Sequence, residues 1–96
     1  MRTVKLMCDY DCHPLWEASA GEVGNIDPES LPITGDLRRA LADWSSRYDD
    51  TLDRDDPRSS GFSSDKEEAT FKSDGLALAV RLRKELGPNY AVVVHP

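Results

Sequence analysis

No stretch of this chain approaches the ~18 consecutive apolar residues that a helical membrane span requires, which removes a transmembrane anchor from consideration. Basic charge is also in short supply. Twelve Lys and Arg face eighteen Asp and Glu for a net charge of −6, so binding to nucleic-acid phosphates or to an anionic lipid surface is disfavoured. Cysteine is limited to Cys8 and Cys12 and histidine to His13 and His95. One disulfide at most could form, and a reducing cytosol would not keep it. There is no glycine-rich phosphate loop, no G-x-S-x-G and no H-E-x-x-H. Cys12 and His13 are adjacent, whereas a thiolate and its activating base usually meet through the fold. The expectation is a non-enzymatic protein with no cofactor. Met1-Arg2-Thr3-Val4-Lys5 runs straight into a strand-like stretch with no signal-peptide hydrophobic region, which predicts a cytoplasmic location.

What the chain does have is grouped apolar residues. They make 39% of its 96 residues, against 31% charged, and their periodicity predicts one globular domain over residues 1–96. Residues 3–8 alternate, with Val4, Leu6 and Cys8 on one face and Thr3, Lys5 and Met7 on the other, the pattern of a half-buried strand. Thr34 is placed to cap a first helix whose stripe is Leu37, Ala40, Leu41, Trp44, Tyr48 and Leu52. Ser64-Asp65-Lys66-Glu67 is a capping box and Leu86-Gly87-Pro88 a stop signal, so a second helix spans about 65–86. Its main stripe is Phe71, Gly75, Leu78, Ala79, Leu82 and Leu86. Leu76 and Val80 lie on nearly the opposite side and offer a surface to another chain.

Residues 90–95 read as a strand apolar on both faces, and therefore central or covered. Two strands alone make a marginal sheet, so a third must come from residues 9–33 or from a second subunit. That segment holds three of the six prolines and no sustained period; it reads as a long irregular connection, with a short strand near 22–26 and Trp16 as a buried anchor. The fold class is α+β, in the order β-α-α-β, with a helical hairpin packed on a small antiparallel sheet. The even number of helices between the first and last strands is the reason for expecting those two to run antiparallel if no other crossover intervenes.

Three groups of residues invite a chemical reading. Cys8, Cys12 and His13 are three soft ligands within six residues, one short of a tetrahedral zinc site and spaced more widely than a C-x2-C knuckle. A calcium-loop frame begins at Asp56 and ends at Glu67, but Arg58 stands at its third position where an oxygen ligand belongs. Asp49, Asp50, Asp53, Asp55 and Asp56 crowd the end of the first helix, where negative charge opposes the dipole, and so point to a basic partner or cation.

The blocks Cys8-Asp9-Tyr10-Asp11-Cys12-His13-Pro14-Leu15-Trp16, Gly24-Asn25-Ile26-Asp27-Pro28, Asp55-Asp56-Pro57 with Ser59-Ser60-Gly61-Phe62, and Glu85-Leu86-Gly87-Pro88 resemble those of a family of small uncharacterised proteins of high-GC Gram-positive bacteria. The resemblance implies a bacterial cytoplasmic protein. Small acidic proteins of this kind include neighbours of toxin genes, which by analogy suggests an immunity- or antitoxin-like role. The leading reading is an acidic protein-interaction module or homodimer that contacts neither nucleic acid nor membrane. Its contact residues are Tyr10, Trp16, Asp49, Asp53, Asp56, Leu76 and Val80. The alternative is a small metal- or ligand-binding protein built on Cys8, Cys12 and His13.

Overall fold

A computed structural model describes residues 1–52 and 61–95. The elements are β1 (Arg2–Leu6), β2 (Leu15–Glu17), β3 (Asn25–Ile26), a 3-10 turn (Pro28–Ser30), α1 (Gly35–Asp49), α2 (Asp65–Leu86) and β4 (Tyr90–Val94). The fold is α+β: a helical hairpin lies on one face of a four-stranded mixed sheet of order β3-β2-β1-β4. Both helix starts match the sequence. The Thr34 hydroxyl accepts the Leu37 N–H and the Ser64 hydroxyl accepts the Glu67 N–H, each supplying an acceptor to a donor with no partner inside the helix. The Glu67 carboxylate takes the Ser63 hydroxyl. Gly87, at φ 82°, ends α2 in the left-handed region that side chains avoid.

The helices run antiparallel, since Glu85 near the end of α2 accepts from both the N–H and the hydroxyl of Thr34, while Arg47 near the end of α1 lies 2.8 Å from Asp74. Between them Trp44 stacks on Phe71 at 4.6 Å and donates its indole N–H to the Phe71 carbonyl. Gly75 makes this approach possible: a Cβ there would sit 2.6 Å from a ring carbon of Trp44. Beneath the hairpin, Val4, Leu6, Leu15, Ile26 and Val92 complete the core from the sheet side. Of the residues on the two helix stripes, Trp44, Phe71, Leu78 and Leu82 are buried and Tyr48 is partly so.

The first and last strands share a sheet, but they run parallel, from Arg2 opposite Tyr90 to Leu6 opposite Val94. Counting helices alone gave the wrong direction. β2 and β3 each reverse the chain, and residues 27–34 carry it back along the sheet before α1 begins, so the total number of reversals between β1 and β4 is even. The 9–33 segment accordingly supplies two strands where one was expected, and Trp16 lies within β2, half-buried, rather than anchoring a loop.

β4 is also an edge strand, not a central or covered one: Val93 is 44% exposed. Its outward backbone is guarded by α2, because the Arg83 guanidinium donates twice to the Val92 carbonyl, at 3.0 and 3.3 Å. A positive group over an otherwise bare edge discourages further strand pairing. Leu76 and Val80 are 54% and 60% exposed, so the 9–33 segment does not fold over them.

Candidate functional site

Two stretches that the sequence marks separately, the loop after β1 and the acidic end of α1, form one surface. Tyr10 stacks on Tyr48 with ring centres 4.7 Å apart, and its hydroxyl lies 3.4 Å from the Thr51 hydroxyl. The Asp11 N–H donates to the Asp49 carboxylate at 3.1 Å, which holds the loop directly against the last turn of α1. Asp11 itself sits at φ 59°, a region that Asp enters more readily than most residues because its short side chain can bond locally. Deeper in, the buried Ser45 donates to the Cys12 carbonyl. On the sheet side Asn25 clamps the loop exit, accepting from the His13 N–H and donating to the His13 and Leu15 carbonyls at 2.7 and 2.9 Å.

The loop rests on a continuous aromatic stack. Tyr48 lies 5.9 Å from Phe71, Phe62 is 4.9 Å from the same ring, and the Arg47 guanidinium stands 5.6 Å from its centre. The result is a rigid base under Asp9, Asp11, Asp49 and Asp50. Arg47 is committed to Asp74, and among the described residues no Lys or Arg pairs with Asp9, Asp49 or Asp50. The surface therefore presents concentrated negative charge on an ordered support. A cleft of about 760 Å3 opens beside it, lined by Asp50, Thr51, Phe62 and the first turn of α2.

Of the contact residues expected from sequence, Tyr10 and Asp49 are brought together here, while Trp16, Leu76 and Val80 lie elsewhere. Asp53 falls outside the described residues, as do Asp56 and the next four positions of the calcium-loop frame. Asp9 and Asp11, which lie between the two cysteines in sequence, belong to the acidic surface. Ser45 and Asn25 gave no sequence signal as loop holders, because their role depends on a partner 33 or 12 residues away.

Among the described residues no three His, Cys, Asp or Glu side chains, those of Cys8, Cys12 and His13 included, are grouped to hold an ion. Burial, reinforced by the nearby charge of Asp49, pushes the Cys8 thiol up to about 12. The nucleophilic form of cysteine is the thiolate, so this sulfur is a poor nucleophile at neutral pH. The folded state holds the Cys8 proton more tightly than the unfolded chain, and the stability this contributes is present below pH ~8.5 and is lost as pH rises toward 12. We expect unfolding free energy to fall by up to about 1.4 kcal/mol per pH unit above pH ~9 relative to Cys8→Ala. Urea titrations of both proteins from pH 8 to 11 check this; parallel curves would contradict it.

The described geometry thus joins Asp9, Asp11, Asp49 and Asp50 in one acidic surface. Among the described residues no helix is long and apolar enough to cross a membrane. Comparison with curated proteins returns no match. A family model does match, over residues 2–96: the chain belongs to the Serratia CdiI immunity protein-like family, a membership that carries an immunity-type role exercised by binding a protein partner.

Proposed function

We propose that this protein is a non-enzymatic, cytoplasmic immunity factor that binds a basic toxin domain through the surface formed by Tyr10, Asp9, Asp11, Asp49 and Asp50, with Asp53 and Asp56 of the adjoining segment adding charge. The observation that carries the reading is the union of the 9–13 loop with the end of α1 through the Tyr10–Tyr48 stack and the Asp11–Asp49 hydrogen bond. Acidic groups on a stiff support steer a basic partner at long range and lose little entropy when it docks. The imbalance is strongest in the first part of the chain, where residues 1–35 hold six acidic and two basic groups, whereas residues 59–96 hold five of each. A high-GC Gram-positive source, read from the sequence blocks, belongs to the same proposal. The test is growth of cells that express the toxin domain encoded beside this chain. Co-expression of the wild type should restore growth, and a failure to do so despite soluble expression would reject the assignment.

Self-association is a second reading, favoured by Leu76 and Val80, two large apolar side chains one turn apart and more than half exposed. Sedimentation should find the wild type dimeric at micromolar concentration and Val80→Glu monomeric and folded. A monomeric wild type would reject the homodimer and leave this stripe to another contact.

A further inference from the structure

Among the described residues no helix packs on the second face of the sheet. Strand alternation and register place Thr3, Lys5, Trp16, Ala91 and Val93 on it, with Lys5 opposite Trp16 on one side and opposite Val93 on the other. Both helices pack on the reverse face, against Val4, Leu6 and Leu15. The Trp16 indole is tethered by its own N–H, which donates to the Met7 carbonyl at 2.9 Å. Lys5 is half-buried and makes no hydrogen bond or ion pair among the described residues. Its methylene stem is flanked by apolar neighbours, and its ammonium is the lone charge among these five residues, in a chain whose net charge is −6.

A tethered aromatic beside aliphatic side chains is the kind of anchor found at interface centres, and the unpaired lysine among them gives this face a preference for negative charge. We propose that this face takes an apolar segment of the neutralised partner that presents a carboxylate to Lys5. The charge decides the occupant. A second copy stacked on the same face in two-fold fashion would set Lys5 against Lys5, and these residues offer no acid to compensate. The contact rests on the immunity reading for the identity of its partner, but its chemistry is opposite in sign to that of the acidic surface, and this separates the two in experiment.

The probe is the toxin domain encoded beside this chain, titrated at 50 and 300 mM salt against the wild type, Lys5→Met, Lys5→Glu and Asp9→Asn/Asp50→Asn. Lys5→Glu should weaken binding at least tenfold at low salt, and Lys5→Met by a few fold. Binding of both at wild-type strength would mean that Lys5 serves only to keep an apolar face soluble, and would overturn the proposal while the immunity reading stood on the loss seen in the Asp variant. Absence of binding by the folded wild type would reject both. A second readout does not depend on how variants fold: with 5-fluorotryptophan in this chain alone, the fluorine resonance assigned by Trp16→Phe should shift on complex formation. A complex that leaves it unmoved overturns the proposal.

Discussion

Trp44→Ala should cost about 3–5 kcal/mol of stability, the range for removing a large buried aromatic. Trp44 is 2% exposed and touches nearly every part of the hairpin's centre: it stacks on Phe71, fills the space over Gly75 and donates a hydrogen bond to the Phe71 carbonyl. Truncation removes the ring with its hydrogen bond and leaves a cavity between the helices. Gly75 supplies the complementary test. At an ordinary interior helix site Gly→Ala stabilises by about 1 kcal/mol, but the added methyl here would meet the Trp44 ring at 2.6 Å. We expect Gly75→Ala to destabilise by about 1–3 kcal/mol as overpacking outweighs the propensity gain. Chemical denaturation measures both, and a stabilising Gly75→Ala would show that the helices are not held at this separation.

The second large effect is on binding. Asp49→Lys should weaken the complex with the toxin domain about 100-fold, because reversing one contact charge at about 1.5 kcal/mol per charge amounts to about 3 kcal/mol. Stability should move far less. A lysine in the last turn of α1 favours the dipole that Asp49 opposes, by about 0.3–1 kcal/mol, which offsets the lost hydrogen bond to the Asp11 N–H. Calorimetry for affinity and thermal melting for stability separate the two. A large stability loss matched by an equal loss of affinity would mean that Asp49 is only a structural holder of the loop.

Local signals were legible in the sequence and long-range ones were not. Thr34, Ser64 and Gly87 act within a few residues of themselves, so the helix limits could be read with no knowledge of the fold. The core face of α2 followed from its period for the same reason. The direction of β1 against β4 depended on β2 and β3, whose three and two residues are too short to print a period. Val92-Val93-Val94 suggested a covered strand because apolar residues on both faces say nothing about what lies beyond them. The acidic surface was half visible: Asp49 and Asp50 drew attention as a cluster, and Tyr10 as part of a loop. Their union rests on Ser45 reaching Cys12 and Asn25 clamping His13, pairings between residues whose local sequence carries no trace of one another.

If the acidic end of this protein is its partner-binding surface, the dissociation constant for the toxin domain depends on salt through the carboxylates of Asp9, Asp11 and Asp50. The comparison is between the wild type and Asp9→Asn/Asp11→Asn/Asp50→Asn, which keeps size and hydrogen-bonding capacity while removing three charges. Asn also tolerates the backbone angle at Asp11. The account predicts wild-type affinity that weakens steeply from 50 to 300 mM salt, and a variant bound about 10–100-fold more weakly at low salt with a much flatter dependence. Equal affinities and equal salt slopes for the two folded proteins would contradict it.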